Sequence, residues 1–482
     1  MSKTRLIIIT AGSIVFIRQL FSLGAALGLF SDSLTERGSV VHAAPKRSAP
    51  QKLSNKASSV TFGDTVTGHA TWSQSVLPVD KARELFLHVE FKAKNSPVTK
   101  PLPVSTLILI DRSGSMDGEK MDNTKRATLR AFKALRSNDS ISIVSYSNHA
   151  QVHLQPTLRA KMSLSKIRKI LDSIYPAGGT NISEGLNLAV ELLESQTEQN
   201  SYNRILLISD GHANRGVTNP AQLKRLAAQC KRKGISLSSM GVGLDYNEDL
   251  LTAISEHSAG NYYYVRTAKD INSALAREIA FTKDVVARNV NFEFTLPDGL
   301  ELERVFGYTH ANRDGKASVN LGDFSANETR KLVAQIRHTP VSTHEHQTSS
   351  LLTLRYELFG NKRQKSFTKN IQLQLSSDPN VVRTSINPSI LEEVARVTLA
   401  QTRREAALEL QAGRYDQAKK QIKKALRDGR KNAARLNSAK IRDLVKRTEK
   451  QRDALQHIQP KTDAAKDFIK TEKFESRALQ RF

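Results

Sequence analysis

One stretch, LILIDRSGS at residues 107–115, joins an unbroken apolar run to a loop of polar side chains. The four apolar residues are typical of a strand that is buried on both faces of a parallel sheet. Asp111, Ser113 and Ser115 then stand at alternate positions, which can turn one carboxylate and two hydroxyls towards a single point. Oxygen ligands of this kind suit a hard divalent cation such as Mg²⁺, Mn²⁺ or Ca²⁺. The end of a strand is also where α/β sheets bind their ligands.

Two later segments add oxygen side chains in comparable places. Thr180 lies in the sequence GGTN at the start of a helical run, and Asp210 ends a second buried strand, RILLISD at residues 204–210. Each of these residues alone is explained equally well as a helix cap or a turn residue. The complete set of Asp111, Ser113, Ser115, Thr180 and Asp210, each at the junction of a loop and a regular element, instead favours a metal site.

The order D-x-S-x-S, then Thr, then Asp resembles the metal-ion-dependent adhesion site of von Willebrand factor type A (VWA) domains. The sequence DRSGSM, followed by GEKM at residues 118–121, is most similar to one subgroup of that family. This subgroup occurs in bacterial envelope proteins, inter-alpha-trypsin inhibitor heavy chains and calcium-activated chloride channel regulators. The resemblance extends from about Pro103 to Phe281.

The resemblance implies a role for each residue of the set. Ser113 and Ser115 would bind the metal directly, and Asp111 and Asp210 would act directly or through water. Thr180 would join them in the ligand-bound state. The ion would be a divalent cation, Mg²⁺ before Mn²⁺ or Ca²⁺, and a carboxylate from a protein partner would complete its shell.

The hydrophobic pattern predicts an α/β unit at residues 101–281 and β structure on both sides of it. Strand-like and helix-like periods alternate within the unit, which favours a Rossmann-like, three-layer sandwich with a largely parallel sheet. Residues 60–100 and 282–380 have the alternation of an all-β segment, and we predict that they form one β-sandwich domain into which the α/β unit is inserted. In such a unit the chain enters and leaves on the face opposite the metal site.

The last segment, residues 388–482, has the pattern of a charged helical tail. It contains 24 lysines and arginines against 13 aspartates and glutamates. The sequence GRYDQA at residues 413–418 resembles a tetratricopeptide unit, but a solenoid needs about three units, so we predict one helical hairpin. The basic side chains between Lys419 and Lys431 are either an anion-binding face or an ordinary solvated face.

The amino terminus has the features of a targeting segment. Lys3 and Arg5 precede an apolar stretch that reaches Phe30, and VHA at residues 41–43 resembles a cleavage site. We predict a signal peptide at residues 1–43, with an uncleaved membrane anchor as the alternative, and a flexible linker at residues 44–59. Both readings predict export to the periplasm, to the cell exterior or to the outer side of the inner membrane.

The composition and the motifs of the sequence reduce the number of protein classes to which this chain can be assigned. A formal charge of +26 over 482 residues favours anionic partners or surfaces. No P-loop, G-x-S-x-G or H-E-x-x-H motif is found, so no enzyme is predicted. Aromatic residues are not interleaved with the basic clusters, so nucleic acid is not an expected partner. The single cysteine, Cys230, is predicted to be a buried thiol, and the sequence HEH at residues 344–346 is better explained as a solvated loop than as a metal site.

Two functions remain after these exclusions. The first is an exported envelope protein that binds a protein partner through the cation site, in adhesion or as a scaffold. The second is a basic envelope protein that associates with anionic surfaces and whose metal site is mainly structural.

Export can be tested at the amino terminus. Amino-terminal sequencing of the protein from cells should find a mature chain that begins near Ala44. Met1 in the membrane fraction would favour the uncleaved anchor, whereas Met1 on a cytoplasmic protein would contradict export.

Overall fold

The structure is a computed structural model that describes residues 58–95, 102–195, 201–313, 315–340, 344–360 and 363–482. The predicted targeting segment, and the predicted linker up to residue 57, lie outside these ranges. Within them, no helix is long and apolar enough to cross a membrane.

The first strands and the α/β unit follow one another along the chain. The early strands are β1 (Ser59–Gly63), β2 (Val66–Trp72), β3 (Val76–Pro78) and β4 (Arg83–Ala93). The unit then contains β5 (Val104–Asp111), α1 (Glu119–Ala134), β6 (Ser140–Tyr146), β7 (Ala150–Leu158), α2 (Leu164–Asp172), α3 (Ile182–Glu194), β8 (Tyr202–Ser209), α4 (Pro220–Arg232), β9 (Ile235–Val242), α5 (Glu248–His257), β10 (Ala259–Val265) and α6 (Ile271–Lys283).

The sheet of the α/β unit has the order β10-β9-β8-β5-β6-β7, and only β7 runs antiparallel to its neighbour. Every residue of β5 and β9 is buried, because helices cover both faces of the sheet. One face packs against α1, α2 and α6, and the other packs against α3, α4 and α5. The predicted three-layer α/β fold is thereby confirmed.

The chain then returns to β structure and ends in helices. The strands are β11 (Val285–Thr295), β12 (Leu300–Val305), β13 (His310–Arg313), β14 (Lys316–Ser325), β15 (Thr329–His338), β16 (Gln347–Leu358) and β17 (Gln364–Ser376). The helices are α7 (Pro379–Thr384), α8 (Pro388–Gln411), α9 (Tyr415–Arg435), α10 (Ala439–His457) and α11 (Asp463–Arg481).

Strands from before and after the α/β unit form a single β-sandwich. One sheet has the order β1-β2-β4-β15-β12, and the other has the order β13-β14-β11-β16-β17-β3. The junction is the antiparallel ladder between β4 and β15, which runs in unbroken register from Lys92 opposite Thr329 to Arg83 opposite His338. The two sheets share a core in which the ring of Phe91 packs edge-on against Phe292 at 5.2 Å between centroids. The predicted flanking sandwich is confirmed.

The helical segment is larger than the predicted single hairpin. Helices α8 and α9 form a hairpin around Gly413, and α8 also packs along α11, while α10 packs along α9. Apolar residues of α8 lie against the outer face of the first sheet, in a cluster that includes Val394 from the helix and Val333 from the strand. Within this segment, the buried Arg403 guanidinium joins the α8 and α11 helices through Glu472. The carboxyl-terminal helices are therefore part of the folded body.

The shared sandwich makes a testable prediction about fragments. Residues 283–378 lack β1, β2 and β4, so β15 would lose its central partner and the core would lose Phe91. We expect this fragment to show no cooperative unfolding in urea, whereas residues 101–283, which keep their whole sheet and both helix layers, should unfold cooperatively. A cooperative transition of the first fragment, with a midpoint like that of the full chain, would contradict the interdependence of the two β segments.

Candidate metal centre

The carboxyl ends of two neighbouring parallel strands bring together the five oxygen side chains predicted from the sequence. Strands β5 and β8 are paired up to Ile110 opposite Ile208, so Asp111 and Asp210 leave the sheet side by side. After Asp111 the chain turns through a short 3₁₀ helix at Gly114–Met116. Thr180 directly precedes Asn181, whose side chain caps the amino end of α3.

Asp111 is fully buried and is held by three donors. Its Oδ2 accepts hydrogen bonds from the Ser209 hydroxyl at 2.6 Å and from the Tyr146 hydroxyl at 3.3 Å. Its Oδ1 accepts the backbone N–H of Ser113 at 2.8 Å. Burial raises the pKa of the Asp111 carboxyl to about 6, although the hydrogen bonds oppose this shift. The carboxylate is therefore fixed in position before any ligand arrives.

The two serines connect the first carboxylate to the second. The Ser113 and Ser115 hydroxyls lie 3.1 Å apart, and the Ser115 hydroxyl donates to Asp210 Oδ1 at 2.8 Å. Asp210 is 1% exposed, whereas Ser115 is open to solvent. The cluster thus has a buried side that carries the charges and one hydroxyl at the surface.

Thr180 lies on the opposite side of the same edge. It is buried, and its backbone N–H donates to the side-chain oxygen of Asn214 at 2.8 Å. A Cβ added at Gly211 would lie 3.1 Å from the Thr180 hydroxyl and 3.7 Å from Asp111 Oδ2. The glycine therefore leaves open the space that a larger residue would fill between the threonine and the first aspartate.

Lys120 is a further member of the site to which the sequence analysis gave no role. Its ammonium forms an ion pair with Asp210 Oδ2 and donates to the backbone oxygen of Ser115 at 3.1 Å. The side chain is 31% exposed, so the contact is made at the rim of the site. Lys120 was visible in the sequence as part of GEKM, but its reach to a strand 90 residues away was not.

These residues fit a hard divalent cation. The cluster offers two carboxylates and three hydroxyls, with no nitrogen or sulfur ligand among them. Zinc sites instead use mainly nitrogen and sulfur ligands. Among the described residues there is no group of three or more histidines, cysteines, aspartates or glutamates that could hold a metal.

The other candidates from the sequence lie apart from this edge. Glu345 lies in a loop before β16, where its Oε1 accepts from the Ser376 and Ser377 hydroxyls at 3.0 and 2.7 Å. Cys230 is buried in α4, as predicted, and burial raises the pKa of its thiol to about 11. Neither residue contributes to the metal edge.

Comparison with known proteins identifies the fold that this chain shares with them. Residues 107–277 match the family model of the von Willebrand factor type A domain. A solved structure described as von Willebrand factor type A from Catenulispora acidiphila has a TM-score of 0.65 at 15% identity, covering 88% of this chain and 98% of the other. The ArnB paralog VWA2 from Sulfolobus acidocaldarius has a TM-score of 0.58 at 17% identity, covering 86% and 99%. At these identities the likeness shows the fold alone, but it extends over the sandwich as well as the α/β unit.

Sequence relatives agree with this assignment. The protein YfbK of Escherichia coli (strain K12) is 30% identical over 290 residues, which are 58% of this chain and 48% of YfbK. Inter-alpha-trypsin inhibitor heavy chain H2 of Mus musculus is 27% identical over 249 residues, which are 50% of this chain and 26% of that protein. The match thus spans about half or less of the length of these relatives.

VWA domains generally mediate protein–protein interactions and commonly bind a divalent cation at a site of this kind. The predicted resemblance is confirmed. Residues 107–277 are a VWA domain, and the chain is similar to bacterial YfbK and to the inter-alpha-trypsin inhibitor heavy chains.

Proposed function

We propose that this protein binds a protein partner through a divalent cation held by Asp111, Ser113, Ser115, Thr180 and Asp210. The observation that carries the proposal is that all five oxygen side chains gather at one sheet edge, with their charges buried and Ser115 at the surface. A cation bound there, with Mg²⁺ preferred, would supply a position that a partner's aspartate or glutamate can fill. The role is therefore binding, in adhesion or as a scaffold, and not catalysis.

The loops around this edge are suited to recognise the partner. The loop at residues 175–179 lies against the metal loop, because Ala177 N–H donates to the Arg112 oxygen at 2.7 Å and Gly114 N–H donates to the Gly178 oxygen at 3.1 Å. Tyr175, in the same loop, is 69% exposed, which is unusual for a large aromatic side chain. Exposed tyrosines are frequent anchors in protein interfaces, so we assign Tyr175 to the partner-binding surface.

Export belongs to the same proposal. The basic and apolar amino-terminal segment and the sequence VHA at residues 41–43 support delivery to the bacterial envelope. There the protein would be periplasmic, extracellular or anchored at the inner membrane.

A second candidate function rests on the exposed face of α9. Lys419, Lys420, Lys423 and Lys431 are all exposed on this helix, with no acidic partner in an ion pair among the described residues. This face supports the alternative of a basic protein that associates with anionic envelope surfaces and whose metal site is mainly structural. The neighbouring Arg427 and Arg430 are paired with Asp428 and Glu449, which leaves the lysines as the free charges.

Metal binding is the first test of the proposal. Calorimetry of the full chain with Mg²⁺, Mn²⁺ and Ca²⁺ should show one site, and Asp111→Asn should weaken it by more than about 100-fold, since loss of outer-shell partners alone costs about 10–100-fold. Asn keeps the size of the side chain, and the exposed Asp172→Asn, at the end of α2, is the matched control.

In the same experiment, Lys120→Met should change the metal affinity in the opposite direction. Removal of the ammonium leaves Asp210 free for the metal, so the affinity should rise by roughly two- to fivefold, the range of a partly exposed ion pair. Unchanged metal binding by Asp111→Asn would contradict the site.

A partner-binding experiment distinguishes between the two proposed functions. In pull-downs from envelope extract with the full chain, binding that requires the cation should vanish with a chelator and survive moderate salt. Tyr175→Ala should weaken it at least about fivefold, whereas Leu351→Ala, an exposed apolar residue on β16, should not. Binding that ignores the chelator and falls as salt screens exposed charges, over about 10 Å at 0.1 M, would favour the surface-associating alternative and contradict the proposal.

A further inference from the structure

A cleft of about 580 Å³ lies where the three parts of the molecule meet. Its walls come from α5 and β10 of the α/β unit, from β13 and β14 of the sandwich, and from α11 of the helical segment. Ligand sites in proteins typically occupy about 300–1,000 Å³ and are often found between domains. The cleft is therefore of a size and in a place where a small molecule can bind.

One side of the cleft holds two guanidinium groups against a single carboxylate. Arg477 and Arg481, one turn apart on α11, both pair with Oε1 of Glu256 at the end of α5. The other oxygen, Oε2, accepts the Thr309 hydroxyl at 2.9 Å. Arg481 also donates from Nε to the Gly307 oxygen, but Glu256 is the one ion-pair partner of Arg477 among the described residues.

Arg330, the third arginine of the cleft wall, already has its partners. It pairs with Glu328, and its remaining donors bind the backbone oxygens of Leu321 and Asp323. Arg477 and Arg481 are thus left to share one oxygen of a single carboxylate. The side chains of these two arginines are only 18% and 21% exposed.

An arginine does not lose its proton at physiological pH, so both guanidinium groups stay charged. Burial and the proximity of Arg481 lower the pKa of Arg477. Guanidinium groups bind carboxylates with two parallel hydrogen bonds. Two guanidinium groups that share one oxygen of Glu256 are therefore suited to bind a second carboxylate from a ligand.

Aromatic side chains form part of the remaining wall. Tyr262 of β10 lines the cleft, and its hydroxyl is already bonded to that of Tyr246. Phe474 of α11 packs edge-on against Tyr262 at 6.2 Å between ring centroids. Because its hydroxyl is occupied, Tyr262 offers the cleft apolar surface. We propose that the cleft binds a small organic monocarboxylate, with its carboxylate between Arg477 and Arg481 and its apolar body against Tyr262 and Phe474.

This site is separate from the metal centre. The cleft lies beside β10, the outer strand of the α/β sheet, whereas Asp111 and Asp210 follow β5 and β8 further into it. Because the walls come from all three parts of the molecule, a ligand there would hold them together. Binding should therefore persist in a chelator and in Asp111→Asn, so that failure of one proposal leaves the other standing.

The test uses the full chain with a panel of simple probes in calorimetry and thermal unfolding. Phenylacetate should bind and raise the unfolding temperature, acetate should bind more weakly, and the uncharged phenylacetamide should show no comparable effect. The proposal is overturned if phenylacetate binds no better than phenylacetamide, or if phenyl phosphate binds more tightly than phenylacetate.

Two substitutions then give opposite expectations. Arg477→Gln, which can still hydrogen-bond to Glu256, should weaken phenylacetate binding by about tenfold or more, as for the loss of a hydrogen bond to a charged group. Glu256→Gln should strengthen it, because both guanidinium groups lose their competing carboxylate. A purely structural role for the three residues predicts no gain in Glu256→Gln, and that result would refute the site. Arg430→Gln, an exposed arginine on α9, controls for the change in net charge and should leave binding unaltered.

Discussion

The ladder between β4 and β15 is the constraint on which the rest of the molecule depends. It pairs β4, which precedes the α/β unit, with β15, which follows the unit. The two strands are more than two hundred residues apart in the sequence. Both ends of the inserted unit must therefore emerge close together, on the side away from the metal edge. Tyr202 at the start of β8 reinforces this junction by donating to the Asp323 carboxylate at 2.6 Å, with both side chains buried. The metal edge consequently faces away from the sandwich and is left free for a partner.

The metal edge shows how buried charge can be kept ready for use. Two carboxylates withdrawn from water are costly unless donors surround them. Ser209, Tyr146 and the backbone of Ser113 supply these donors to Asp111, while Ser115 and Lys120 supply them to Asp210. The oxygens are thus held in place by residues that need not touch a metal. Little rearrangement of Asp111 would be required when a cation binds.

The charge of the helical segment has two different uses. On α11, Lys466, Lys470 and Lys473 form ion pairs with acidic residues around the start of α5. These lysines therefore do not contribute to a free basic surface. The lysines on α9 remain exposed and available to an anionic surface. Net charge alone does not distinguish a lysine in an internal ion pair from one in solvent. The same helix α11 carries Arg477 and Arg481, which share the Glu256 carboxylate at the cleft.

The sequence by itself determined the α/β unit, the flanking β-sandwich and which five oxygen side chains would share an edge. These features follow from local signals: unbroken apolar strands, helical periodicity, and polar residues placed directly after strands. It did not indicate the short exposed strand β13, which has no buried face to give an alternating pattern, or α10 and α11 beyond the predicted hairpin. Nor did it indicate Ser209, Tyr146 and Lys120 around the aspartates, or Glu256 between two arginines. Their partners lie tens to hundreds of residues away, and only the tertiary structure decides which distant side chains meet, because such contacts depend on packing between elements and leave no periodic trace along the chain.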